Sequence, residues 1–170
     1  MTDKSYRTRI TVVGLLLALC LLAMAVTSRA APATDFTLKD YIHGQDYTLS
    51  QFRGKVVIII FFTFFSKYSR EEMADLNKIY HEYQGKGLQT LGITLPGENP
   101  AQYPAQIRFL VKELGLDYPV LIGNDKVSEA YGSVQKVPTT FIIDKAGNVA
   151  HKVEGSRRKE TFEKMIKPLL

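Results

Sequence analysis

Residues 31–170 contain no cysteine, and the 170-residue chain contains no tryptophan at all. Without a thiol, that stretch can form no disulfide, present no thiolate and offer no sulfur to a metal. Histidine is scarce as well. His43, His81 and His151 are the only three, and they lack the spacing of a zinc or haem motif. No metal and no cofactor are therefore expected. Strong charge of one sign is also missing: beyond residue 30, 18 basic side chains meet 16 acidic ones, a net of +2. With no basic run interleaved with aromatics, nothing marks a nucleic-acid-binding surface. Repeats, low-complexity stretches and an interdomain linker are absent too, so residues 31–170 are expected to form one domain.

The N-terminus departs from this even composition. Lys4, Arg7 and Arg9 precede an uncharged stretch from Ile10 to Thr27, and Ser28-Arg29-Ala30 follows with small residues at the two positions a signal peptidase reads. At 18 residues, the stretch exceeds a signal core of roughly 7–15 and falls just within the roughly 17–25 that span a bilayer. Residues 1–30 are thus expected to be a signal peptide or a membrane anchor, with membrane association through residues 10–27 in the second case. Either alternative places the domain outside the cytoplasm, in a periplasm or on the outer membrane face, because the positive charges stay inside. Cys20, the one cysteine, lies within this stretch after Leu19 and does not read as a lipidation site.

The remainder is organised around residues 54–73, GKVVIIIFFTFFSKYSREEM. Val56 to Phe62 is an unbroken apolar run, β-branched and aromatic, which predicts a strand buried on both faces. Ser66-Lys67-Tyr68-Ser69 then opens a helix over about 67–84, with Met73, Leu76, Ile79 or Tyr80, and Tyr83 on one face and Gly85-Lys86-Gly87 at its end. Ahead of the run, DFTL (35–38) and DYTL (46–49) predict a β-hairpin, and residues 50–53 a single helical turn. After it come a buried strand at 88–95, a loop at 96–102 and a helix at 103–114 with Ile107, Leu110, Val111 and Leu114 inward. Residues 118–121 read as extended, and a short helix at 125–131 should turn Val127, Ala130 and Tyr131 inward. A strand at 141–144, a turn at 145–148 and Val149–Glu154 form a hairpin, and a closing helix at 157–168 shows Phe162, Met165, Ile166 and Leu169. Alternating β and α with a terminal hairpin predicts one α/β layer fold.

The segments DFTLKD…TLSQFRGKVV, FFTFFSKYSREEM, YPVLIG and YGSVQKVPTTFIIDKAGNV, followed by the closing helix, resemble the thioredoxin-fold redoxins of the TlpA/ResA type, exported thiol–disulfide oxidoreductases of the AhpC/TSA–redoxin superfamily. The resemblance covers about residues 33–169. It implies a central mixed β-sheet flanked by helices, with an N-terminal hairpin and an inserted helix. The family motif Trp-Cys-x-x-Cys is Phe65-Ser66-Lys67-Tyr68-Ser69 here, so Ser66 and Ser69 take the positions of the catalytic cysteines and are expected to be redox-inactive. A peroxiredoxin pattern is only echoed by Thr63-Phe64-Phe65-Ser66, with Ile59 in place of its proline and no sulfur.

A serine hydroxyl needs an adjacent base to become a nucleophile, and no histidine neighbours this loop in sequence. Serine is instead a preferred helix N-cap, and Ser69-Arg70-Glu71-Glu72 reads as a capping box with Glu72 reaching back to the Ser69 amide. By position, Glu72 matches an acidic residue that tunes the second cysteine in some family members. Pro138 matches the family's cis-proline, which faces the motif loop and orders a substrate backbone against Val137. A polypeptide, or a thiol-protein partner, is therefore the expected ligand, added as an extended strand. Phe61, Phe62, Phe64 and Phe65 are expected in the core and groove, with Tyr68 the exposed contact. Three functions remain open: a redoxin-family protein without the dithiol, acting in polypeptide binding or assembly; an oxidoreductase of cytochrome maturation or antioxidant role whose cysteines are serine here by mutation; or a structural subunit of a cytochrome or respiratory assembly factor.

Overall fold

The structure, a computed structural model, describes residues 30–95 and 103–170. In chain order they form a hairpin of β1 (Thr37–Lys39) and β2 (Asp46–Thr48), a 3-10 turn at Leu49–Phe52, β3 (Val56–Phe62) and α1 (Lys67–Tyr83). Then follow β4 (Leu88–Thr94), α2 (Tyr103–Leu114), β5 (Val120–Leu121), α3 (Asp125–Ala130), β6 (Thr139–Ile143), β7 (Val149–Glu154) and α4 (Lys159–Ile166). The expected leader and the expected loop at 96–102 lie outside the described residues. Among the described residues no helix is long and apolar enough to cross a membrane.

The apolar run becomes the middle strand because nothing else could cover it on both sides. β3 lies parallel to β4 and antiparallel to β6 in a five-stranded sheet of order β5-β4-β3-β6-β7, with β1 and β2 as a separate two-stranded sheet. Successive side chains of a strand point to opposite faces, and the run supplies both. Val56, Ile58, Ile60 and Phe62 join Met73, Leu76, Ile79, Ile107, Phe162 and Ile166 in a core beneath α1, α2 and α4. Val57, Ile59 and Phe61 join Leu38, Leu49, Phe52, Val127, Tyr131 and Phe141 beneath the hairpin and α3. This is the mixed, helix-flanked sheet with an added hairpin and inserted helix (α2) that the motifs imply.

Several local expectations hold and one does not. α1 buries Met73, Leu76, Ile79 and Tyr83, and its end is marked by Gly87 in the left-handed region at φ 90°. The hairpin pairs at 37–39 with 46–48, two residues later at its start than the alternation suggested. It closes the β5 edge, with the Tyr41 amide donating to the Val120 carbonyl at 2.9 Å and the Ile122 amide to the Lys39 carbonyl at 2.8 Å. Gly123 lets the chain leaving β5 pass close to the end of β4, since a Cβ there would lie 1.7 Å from the Thr94 carbonyl oxygen. Ala130 is exposed rather than inward. Six residues of α3 make fewer than two turns, so only the Val127 side reaches the core.

An asparagine of α1 holds the segment that leaves the inserted helix. The Asn77 amide donates to the Gly115 carbonyl at 2.7 Å, and its oxygen accepts from the Asp117 amide at 3.0 Å. Both groups belong to the segment leaving α2, where the chain turns at Gly115 with φ 58°. Asn77→Ala should leave both main-chain groups unpaired and cost about 2 kcal/mol, read as a lower urea midpoint at unchanged slope.

Candidate functional site at the β3–α1 junction

Ser66 has extended backbone angles and caps α1, its Oγ accepting from the Ser69 amide at 3.2 Å while its carbonyl accepts from Arg70 at 3.1 Å. The capping box expected at Ser69 and Glu72 is therefore not formed. α1 starts two residues before Ser69, which lies inside its first turn. Ser69 is fully buried, and its hydroxyl has no hydrogen-bond partner among the described residues. No hydrogen bond among the described residues joins a histidine to either serine. His81 pairs with Asp117 at 2.7 Å, His43 lies 3.5 Å from Asp40, and His151 is exposed on β7.

Glu72 faces inward instead of reaching back along the helix. It is 1% exposed. One carboxyl oxygen accepts from the Thr140 hydroxyl, and the other accepts from the Arg157 amide at 2.8 Å. Burial pushes its pKa up to about 7 from the ordinary 4.5, against the hydrogen bonds from Thr140 and Arg157, which favour the charged form. Tyr118 lies close enough that the Glu72 charge adds to the burial that raises its phenol. The Tyr118 hydroxyl donates to the Met73 carbonyl at 3.3 Å. One carboxyl thus ties α1 to β6 and to the segment before α4. Thr140 and Arg157 were not foreseen. A polar pair, Thr139-Thr140, opening an otherwise apolar strand was a signal for Thr140, whereas nothing in sequence marks the Arg157 amide.

Pro138 and the serine loop leave the same end of the sheet. β3 and β6 are antiparallel, and their last pair, Phe61 with Thr139, carries the register on to Val137 opposite Thr63. The Val137–Pro138 peptide bond is cis. The Pro138 carbonyl accepts from Gly155 at 2.8 Å. Among the described residues the main chain of half-buried Val137 takes part in no backbone hydrogen bond outside the ladders, and β6 begins only at Thr139. Phe61 and Phe62 are buried and Phe64 is half-buried, as expected, whereas Phe65 stands out from the loop. It is 76% exposed, more than Tyr68 at 64%.

Comparison with known proteins gives a consistent result. The model of the AhpC/TSA family matches residues 30–152. The chain is 32% identical over 148 residues to a thiol-disulfide oxidoreductase ResA of Geobacillus thermodenitrificans, covering 86% of this chain and 79% of that one. A thioredoxin-family thiol:disulfide interchange protein from Chlorobium tepidum superposes with a TM-score of 0.75 at 24% identity, covering 85% of this chain and 99% of that one. A putative thioredoxin from Neisseria meningitidis gives 0.70 at 28% identity over 82% and 90% of the two chains. The fold is thioredoxin-like.

The two serines should respond oppositely to truncation. Ser66→Ala removes the cap and should cost about 1 kcal/mol. Ser69→Ala deletes a buried hydroxyl without a partner and should be neutral or stabilising by up to about 1 kcal/mol, both read by urea unfolding. For Glu72 the folded state holds its proton up to about pH 7, while the unfolded chain releases it near 4.5. Stability linked to this group is therefore fully present below pH 4.5 and falls as pH rises through 7, by about 3 kcal/mol in all. Glu72→Gln keeps an acceptor for Arg157 and a partner for Thr140. It should flatten that pH dependence and leave the variant more stable than wild type at pH 8. A wild-type profile that rises between pH 5 and 8 would contradict the buried, raised carboxyl.

Proposed function

The chain belongs to the AhpC/TSA family, and we propose that it works there as an extracytoplasmic redoxin-fold protein without redox chemistry, holding an extended polypeptide beside Pro138. The free main chain of Val137 carries this reading: it offers a donor and an acceptor at the sheet end where the β3–α1 loop also emerges, the arrangement a strand-like peptide can extend. Exposed Phe65 in the β3–α1 loop and exposed Tyr68 in the first turn of α1 supply apolar contact. The absence of any thiol after Cys20 leaves no group able to exchange disulfides. Ser66 and Ser69 stand where the resemblance places the two cysteines, and Ser66 spends its hydroxyl on the helix cap. Lys4, Arg7 and Arg9 ahead of residues 10–27 support export, by signal or anchor.

A second reading is a thiol–disulfide oxidoreductase altered to serine at both positions. The buried, partnerless Ser69 hydroxyl favours it, because such a slot suits a thiol, which loses little when its weak donor goes unpaired. The curated relatives named above are oxidoreductases of that kind.

One pair of proteins separates the readings. Wild type should bind a carboxymethylated, permanently unfolded model protein, and Tyr68→Ala should weaken that binding, with no reduction of insulin. In S66C/S69C, the sulfur introduced at position 66 can attack an insulin disulfide and be released by the sulfur at 69, so partial activity is expected. The α1 dipole should lower the first thiol below its free value of about 8.5. Failure of wild type to bind, together with strong insulin reduction by S66C/S69C, would favour the second reading.

A further inference from the structure

A second apolar surface lies on the other flank of α1. Phe109 on α2 is 67% exposed, close to the exposure of Phe65 and Tyr68 across the α1 N-terminus. Between α1 and α2, a cavity of about 290 Å³ is lined by Phe64, Arg70, Ala105, Gln106, Phe109 and Leu110. α1 packs against α2 on this side and against α4 on the other, and the Glu72 cluster faces the α4 side. Exposed aromatics grouped around a concavity mark a contact surface rather than ordinary scatter.

The charges around it are one-sided. Arg70 is already paired with Glu113. Arg108 and Lys112, which flank Phe109 on α2, are exposed and have no ion-pair partner among the described residues. Lys67, one turn before Arg70, is 84% exposed and only 3.7 Å from its weak partner Glu71. In the cavity wall the Gln106 side-chain oxygen is buried with no hydrogen-bond partner among the described residues, an acceptor that a bound donor would satisfy.

We propose that this cavity is a discrete subsite for one bulky, preferably aromatic, side chain of a polypeptide whose neighbouring residues are acidic. Phe64 and Phe109 form its apolar walls, and Arg108 and Lys112 meet the flanking carboxylates. A concave slot suits one side chain, whereas a lipid surface would meet a flat apolar face. The inference rests on the reading that this protein binds polypeptides, but it uses none of the residues beside Pro138.

The test titrates fluorescein-labelled Asp-Asp-Phe-Asp-Asp with the full-length protein and follows anisotropy. Peptides with Ala for Phe, or Lys for Asp, should each bind at least about tenfold more weakly, as should Phe109→Ala and Arg108→Glu/Lys112→Glu to the parent peptide. Tyr68→Ala should leave this peptide's affinity unchanged while weakening the unfolded-protein binding described above. Equal binding of the Lys peptide, or indifference to Phe109→Ala, overturns the subsite and leaves the Pro138 reading standing. Phe109-dependent adsorption to phosphatidylglycerol vesicles without peptide binding overturns it in favour of a lipid surface.

Discussion

Seven consecutive buried residues, Val56 to Phe62, require cover on both sides of one strand, and most of the architecture follows from meeting that requirement. Three helices cover the even-numbered side, while the hairpin and α3 cover the odd-numbered side. Both layers exist only if the chain crosses the sheet repeatedly, which is why strands and helices alternate. The same constraint fixes where chemistry can occur. A strand buried along its whole length can expose its continuation only at its end, so the β3–α1 loop emerges at the sheet edge together with the segment entering β6.

At that junction the hydroxyls of Ser66 and Ser69 fare differently. Ser66 gains, because a hydroxyl accepts the Ser69 amide well and satisfies an otherwise open helix terminus. Ser69 loses, because a hydroxyl taken out of water without a partner costs more than a thiol in the same place. The helix dipole that would favour a thiolate has little to act on when the side chain is an alcohol.

The strand, the helices and the hairpins were legible because burial imposes periods of 2 and 3.6 on the sequence. Ser66 as cap was not separable from Ser69, since both precede acidic residues and a capping-box spacing fits the second as well as a simple cap fits the first. Glu72 was misread for a deeper reason. Its partners Thr140 and Arg157 lie 68 and 85 residues away, and one of them is a backbone amide that no side-chain pattern reveals. The exposure of Phe65 was equally hidden, because an apolar run continuing past Phe62 does not show where the strand ends and the loop turns outward.

The buried carboxyl explains how the two flanks of α1 can differ so sharply. On the α4 side, Glu72 joins the helix to β6 and to the Arg157 segment, and the Arg157 segment continues from Gly155, whose amide holds the Pro138 carbonyl. That flank is rigid and polar inside, and it presents main chain. On the α2 side the Asn77 bonds and the Arg70–Glu113 pair both reach the C-terminal end of α2, whereas its N-terminal end meets the β3–α1 loop through Phe64 and Tyr103. A loosely tied helix end leaves a concavity and bare aromatic rings where a tightly tied one would have closed them. The α1 N-terminus thus sits between a flank that presents main chain at Val137 and one that presents aromatic rings around a concavity.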